Sequence, residues 1–457
     1  MAPAEAAFVK EVPKGPGVMV SKLKIENFKC IKSLEVELAP LTIFIGPNGS
    51  GKSSILEALA LMAQAATTKT SLITARTGEL VSFKDKDALF RDRRTSDWLC
   101  LGLSIRPSEE ERIAIKEAFE KDAEATGTFL NTPIAKEIIE GRIEEICYVN
   151  GISQRGFLHA IYVNGEKLIM YKREEECRPE CYPANLHTPG DLFLSEEFLI
   201  NRHILYFARE IASIIRKRIA NKRVKFISAE RGAISWYLEA RACDNYVGRK
   251  GEHVLEILAR LMKPVNEEKF LPYELLSKEF GVDRIWVGWD HDNILTSDYK
   301  DPWTGTAGLK LPLIGYGSRQ LISVIAQLAI SEPGDIIMVE EPEISLHPAY
   351  QAKLPILFGR AVMEGKQVLV TTHSSYFPLS LPILFDGYIL KGETKGGYKE
   401  YMVRLKPKDI AIYHVTRGSD GYTQIKRLEI DENGLKEGIP SFIEVEKTIL
   451  GRYLGGG

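Results

Sequence analysis

Residues 41–56, Leu41-Thr42-Ile43-Phe44-Ile45-Gly46-Pro47-Asn48-Gly49-Ser50-Gly51-Lys52-Ser53-Ser54-Ile55-Leu56, set an apolar, β-branched run against a glycine-rich turn and then against a second apolar run with helical spacing. Leu41–Ile45 reads as a buried strand, and Ile55, Leu56, Ala58, Leu59, Leu61 and Met62 recur with the period of a helix. Between them the glycines let successive backbone N–H groups turn toward one oxyanion. Lys52 adds a charge for the β- and γ-phosphates of a nucleotide, and the Ser53 hydroxyl is placed to ligate Mg²⁺ at the helix N-terminus. Strand, loop and helix together predict an α/β fold of the P-loop NTPase type. ATP and Mg²⁺ are the expected ligands, with Gly46, Gly49, Ser50, Gly51, Lys52, Ser53 and Ser54 at the phosphates.

The rest of the 457-residue chain is that of a soluble globular protein, 44% hydrophobic with a formal net charge of -2. That length leaves room for about two or three domains. Apolar stretches such as 58–63 and 336–339 fall far short of the ~20 residues a bilayer span needs, so no transmembrane helix is expected. The opening MAPAEAAFVKEVPKGPG carries acids and prolines where a secretory signal needs an uninterrupted apolar region, and 1–17 reads as a flexible tail. Six cysteines, at 30, 100, 147, 177, 181 and 243, lie too far apart for a disulfide framework; a reducing, cytoplasmic location is expected. Cys177, Cys181 and His187 raise a zinc site, but Pro179 intervenes and no second cysteine pair exists, which favours a plain loop.

Along the chain, 18–25, 34–38 and 41–45 read as short strands. Charge dominates 108–141, with Glu109, Glu110, Glu111, Lys116, Glu117, Glu120 and Lys121 spaced for exposed helix faces, so a helical insertion is expected at about 106–143. Flanking it, 98–105 and 146–172 look like strands of an antiparallel β lobe, with Asn150-Gly151 and Asn164-Gly165 as hairpin turns. Segments 225–228, 335–339 and 367–371 are candidate strands of a mixed central sheet, accompanied by a helical lobe. The expected division is an ATPase head at 18–405 and a small β-rich appendage at 406–457.

The strand 335–339 ends in Glu340-Glu341, which puts two carboxylates at the C-terminal edge of a parallel sheet, where α/β ligand sites form. One is expected in the Mg²⁺ shell; the other, turned to the opposite side, can take a proton from the attacking water or orient it. His373 follows the strand 367–371 and can donate one hydrogen bond to a γ-phosphate. Gly315-Tyr316-Gly317-Ser318-Arg319-Gln320 opens a helix marked by Leu321, Ile325 and Leu328, and a Gly-x-Gly turn at a helix N-terminus is a second anion-binding device. Gly315 and Gly317 are therefore added to the phosphate-binding candidates.

In this order the motifs resemble the ATP-binding-cassette head of the SMC, RecF and OLD-like group. IENFK at 25–29, GPNGSGKS at 46–53, GYGSRQ at 315–320, IIMVEEPEISLHP at 336–348 and LVTTHSS at 369–375 are similar to that group's Walker A, signature, Walker B, D-loop and switch-histidine series. The resemblance implies Ser53 and Glu340 as metal ligands, Glu341 in the catalytic role and His373 as the γ-phosphate sensor. It also places Asn48 near the phosphates and Lys29 near the nucleotide. An ATPase converting ATP and water to ADP and phosphate follows, forming an ATP-dependent homodimer that controls a partner, either DNA or a separate effector protein, with no membrane involved. A DNA-binding clamp in repair or phage defence and an ATP-bound scaffold with little turnover stand as alternatives.

Three features depart from the pattern: Glu340 stands where Asp is usual, Gly315 where Ser is usual, and no Gln occurs between Gln64 and Gln154 to fill the Q-loop role. The hydroxyl missing at Gly315 predicts slow turnover. Segments 226–231 (FISAER) and 247–252 (VGRKGE) also look like patterns of OLD-like ATPases, while their local reading is a strand end and a turn before a helix. Little chain follows His373 and it lacks clustered acids, so no Toprim nuclease domain is expected. Basic residues at Arg91, Arg93 and Arg94, and at Arg216, Lys217, Arg218, Lys222, Arg223 and Lys225, are candidate patches for a nucleic acid.

Overall fold

The computed structural model of the chain describes residues 18–68, 71–126, 133–154, 156–174, 205–220, 223–232, 238–239, 244–289, 294–301, 303–394 and 397–454. Cys177, Cys181 and His187 lie outside these residues, as does Lys222.

β1 (Lys22–Phe28) and β2 (Ile31–Glu37) form a hairpin that buries Leu23, Ile25, Phe28, Ile31, Leu34 and Val36. β3 (Leu41–Ile45) is buried throughout and leads into α1 (Lys52–Thr68). α1 is buried on nearly every side because it lies between the sheet that contains β1 and the one that contains β3, which explains its all-round apolar sequence. β4 (Leu99–Ile105), β5 (Ile146–Ser153), β6 (Gly156–Val163) and β7 (Glu166–Glu174) extend the hairpin into a six-stranded antiparallel sheet, ordered β2-β1-β4-β5-β6-β7. α2 (Glu109–Thr126) and α3 (Pro133–Ile139) interrupt it between β4 and β5, where the charge pattern places an insertion. α2 packs on α4 (Leu205–Ile219) through Phe119 and Phe207, whose ring centroids are 5.4 Å apart.

The two Asn-Gly pairs behave differently. Asn164 (φ 50°) and Gly165 (φ 83°) both take positive φ in the β6–β7 turn, the conformation of a tight hairpin. Asn150-Gly151 is not a turn. It lies inside β5, paired with Leu101 and Cys100 on one side and with His159 and Leu158 on the other. β5 has a neighbour along each edge, and ladder bonds on both sides hold the dipeptide extended against its local preference.

Beyond α4 come β8 (Val224–Ile227) and a second antiparallel sheet of β9 (Leu238–Glu239), β10 (Asp283–Trp289), β11 (Ile294–Lys300) and β12 (Leu309–Lys310), with α5 (Val254–Leu261) and α6 (Glu267–Glu279). α7 (Tyr316–Ile330), β13 (Ile336–Glu340), α8 (Pro348–Gln351), α9 (Leu354–Met363) and β14 (Gln367–Thr372) follow. Two hairpins, β15 (Tyr388–Thr394) with β16 (Gly397–Val403) and β17 (Ile410–Arg417) with β18 (Thr423–Leu428), precede a helix at Pro440–Leu454.

The central sheet is ordered β18-β17-β3-β14-β13-β8, parallel except for β18. β3, β8, β13 and β14 are continuous buried runs, as a parallel sheet covered on both faces requires. Within the stretch 406–457 expected as a small β-rich appendage, β17 pairs in parallel with β3, Ile410 opposite Leu41 and His414 opposite Ile45, and so joins the central sheet. Burial of Ile410, Ala411, Ile412 and Tyr413 on the two sides of that sheet supplies the reason. Two cores flank the sheet. Ile336 and Met338 of β13 point into the one containing α1, and Ile337 and Val339 into the one containing α5, α6, α7 and α9. The two-residue period therefore carries Glu340 to the α1 face.

Candidate functional site

The P-loop sits between β3 and α1 and is braced from behind by the last hairpin. A Cβ at Gly46 would stand 2.0 Å from the Val415 carbonyl oxygen, and one at Gly51 2.2 Å from Thr423 Oγ1. Gly51 also has φ 107°, a conformation L side chains rarely adopt. Thr423 Oγ1 donates to the Ser50 carbonyl at 2.8 Å, and Arg417 Nε donates to the Gly49 carbonyl at 2.7 Å. Asn48 and Gly49 are exposed at the loop tip, while the buried Ser50 Oγ has no protein partner. Lys52 curls over the loop, its Nζ donating to the Gly46 and Pro47 carbonyls, each at 2.9 Å. Burial lowers the Lys52 ammonium to about 8, against the opposing pull of Glu341 and Glu343.

The acidic residues divide by environment. Glu340 is buried; its carboxylate lies near the Ser53 hydroxyl and accepts the Ala229 N–H at 3.3 Å. Burial raises its pKa, with Ser53 and the Ala229 N–H working the other way. Glu341, the first residue past β13, takes φ 45°, donates its N–H to the Thr371 carbonyl at 2.8 Å, and has its Oε1 3.4 Å from His373 Nε2. His373 holds the Glu341 carboxyl below its ordinary value despite partial burial, with Lys52 and Arg231 adding to the effect. Glu343 is buried and raised in pKa by that burial, and it accepts the His373 backbone N–H at 2.6 Å.

Lys52, Ser53, Glu340, Glu341 and His373 thus converge at the C-terminal ends of β3, β13 and β14. The Gly315–Gly317 turn starts α7 and packs on the segment after β13: a Cβ at the buried Gly317 would stand 2.3 Å from the Ser345 carbonyl oxygen, whereas Gly315 is exposed. Lys29 is ion-paired to Glu57 of α1 and lies over the Phe83 ring. The sequence alone gave no site role to four residues that lie here. Glu343 lies in the acidic motif itself, and its spacing from Glu341 was a usable signal. Arg231, Arg417 and Thr423 reach the site only through the folded chain.

The family profile described as AAA ATPase domain matches residues 19–176 and 257–377, more than half of the sequence. This chain belongs to the AAA ATPase domain family. It is similar to the DNA replication and repair protein RecF of Vibrio campbellii, 35% identical over 100 residues that make up 21% of this chain and 27% of RecF. It is also similar to the OLD nuclease of Thermus scotoductus, 43% identical over 44 residues, 10% of this chain and 8% of the nuclease. The chain spans about a quarter or less of the length of these relatives. The resemblance to RecF and OLD-like ATPases is borne out. Among solved structures, a Smc head bound to the C-winged helix domain of ScpA aligns over 90% of this chain and 98% of its own, with TM-score 0.44 and 14% identity. The Smc head of Pyrococcus furiosus aligns over 94% and 99%, with TM-score 0.41 and 12% identity. No helix among the described residues is long and apolar enough to cross a membrane.

Proposed function

We propose that this chain binds ATP with Mg²⁺ and hydrolyses it, and that ATP joins two copies so that hydrolysis controls a partner. The observation that carries this reading is the placement of the buried Glu340 carboxylate near Ser53, which brings the end of the P-loop and the acidic strand to one point. A hydroxyl and a carboxylate are oxygen donors suited to Mg²⁺, and the partnerless Ser50 hydroxyl and exposed loop N–H groups suit phosphate oxygens. Ser53 and Glu340 would hold the ion, which supplies neutralisation of phosphate charge. Lys52 would exchange its two loop carbonyls for β- and γ-phosphate oxygens. Glu341, kept ionised by its neighbours, would orient the attacking water or take its proton. His373 would turn its Nε2 from Glu341 to the γ-phosphate, freeing Glu341 for that role.

Gly315 and Gly317 would face the nucleotide of the second copy at the start of α7, where backbone N–H groups and the helix dipole favour an anion. A DNA partner is the second reading, motivated by the match to a protein named for DNA replication and repair. Several of the candidate basic residues are engaged within the chain: Arg91 with Asn27 and Tyr422, Arg218 with Glu111 and Arg223 with Asp335. Exposed Arg93 is a better candidate for such a contact. The deciding experiment is multiple-turnover phosphate release with Mg²⁺ and ATP. Steady release that disappears in Glu341→Gln supports hydrolysis; no release by the wild type refutes it and leaves an ATP-bound scaffold.

A further inference from the structure

We propose that Arg231 is a positioning residue that holds the Glu340-Glu341 turn in its working shape and ties it to α7 at Gln320; this rests on the ATPase reading above. Arg231 follows β8 and its side chain is almost wholly buried. Its guanidinium donates to four backbone carbonyls. Nε meets the Gln320 carbonyl at 3.3 Å, Nη1 meets those of Ser228 at 3.1 Å and Glu340, and Nη2 meets that of Glu341 at 2.8 Å. These acceptors lie just past β8, in the second turn of α7, and at and just past the end of β13.

A buried charge is costly unless its donors are satisfied, and here they are satisfied by neutral carbonyls, with the charges of Glu343, Glu341 and Glu340 nearby. Burial lowers the guanidinium to about 10, so it stays cationic at neutral pH. A planar fork with five donors can bridge three segments at fixed mutual angles; a lysine ammonium, with three donors on one atom, cannot. Glu341 is the residue most dependent on such bracing. Its φ of 45° is uncommon for a non-glycine residue and persists where surrounding contacts over-determine it. Three contacts do so: its N–H to the Thr371 carbonyl, and its carbonyl accepting the Ile344 N–H and the Arg231 guanidinium. Together they aim the carboxylate at His373 and Lys52. Because the same guanidinium holds the Gln320 carbonyl, a shift of the α7 start, where the Gly315–Gly317 turn lies, moves the Glu341 peptide with it.

Arg231→Lys and Arg231→Met test this in the full chain, each measured for ATP affinity, turnover and melting temperature, alone and combined with Glu341→Gln. The expected result is ATP affinity within about twofold of wild type and a kcat lower by about 100-fold, the scale of a misplaced catalytic group. In the Glu341→Gln background the same substitution should change single-turnover hydrolysis by no more than about twofold, because a residue acting through Glu341 has nothing left to position. Unchanged kcat, parallel loss of affinity and kcat, or losses that multiply in the double variant overturn the proposal. Failure of both variants to fold assigns Arg231 to core stability and overturns it too. A wild-type protein without hydrolysis removes the ATPase reading itself, an outcome distinct from normal turnover by folded Arg231 variants.

Discussion

Replacing Gly315 by aspartate in a Glu341→Gln background separates a two-chain mechanism from a one-chain mechanism. Gly315 is exposed, has φ -51° and ψ 143°, and nothing stands within 4 Å of where its Cβ would be. Gly315→Asp should therefore leave the monomer's stability within about 0.5 kcal/mol. Gly317 differs: its Cβ would overlap the Ser345 carbonyl, so Gly317→Asp would disturb the chain itself and is useful only as a control for structural damage. In the proposed dimer an aspartate at 315 would confront the γ-phosphate held by the other chain. Two unit charges ~4 Å apart at an effective dielectric of ~20 repel by about 4 kcal/mol. That corresponds to nearly three decades in the dimer dissociation constant, at about 1.4 kcal/mol per decade. Sedimentation with Mg²⁺ and either ATP or ADP provides the assay. Glu341→Gln alone should be a dimer in ATP and a monomer or looser assembly in ADP, while Gly315→Asp/Glu341→Gln should be a monomer in both. Equal mass for Glu341→Gln with ATP, ADP and no nucleotide, or an undiminished dimer after Gly315→Asp, refutes the shared-nucleotide mechanism.

Lys52→Ala should abolish tight ATP binding, and calorimetric affinity equal to wild type would rule out the P-loop assignment. With the free ammonium lowered to about 8, wild-type affinity should fall as pH rises through 8, and a flat profile across that range contradicts it. The sign for stability is opposite: between pH 8 and the unfolded value of 10.5 the unfolded chain binds the extra proton, so this lysine makes stability rise with pH in that window. His373→Ala should slow hydrolysis with ATP and ADP affinities nearly unchanged; equal losses of both affinities count against a γ-phosphate contact. Thr423→Val keeps shape but leaves the buried Ser50 carbonyl without its donor, so unfolding free energy should drop by about 1–3 kcal/mol and ATP affinity should weaken. Denaturant titration and nucleotide binding check this, and no change in either would show that the hairpin does not brace the loop.

The local chemistry was legible because it is written in contiguous residues. Gly46 to Ser53 carry their own turn and charge, the apolar strand before Glu340 positions its carboxylate by a two-residue period, and the charge pattern of 109–121 marks α2. The tertiary structure alone decided what depends on pairing between distant segments. β17 joins β3 although some 370 residues of chain separate them, because apolar residues at 410–413 fit both faces of the central sheet. Thr423 and Arg417 reach the P-loop by that route, and Arg231 reaches the acidic turn because β8 pairs with β13. Asn150-Gly151 shows the converse: a dipeptide with a strong local turn preference is overruled when ladders form along both edges of its strand. Local preference carries tenths to about one kcal/mol per residue, while burial and paired backbone groups summed over a whole strand carry more, and only the fold reveals which partners supply them.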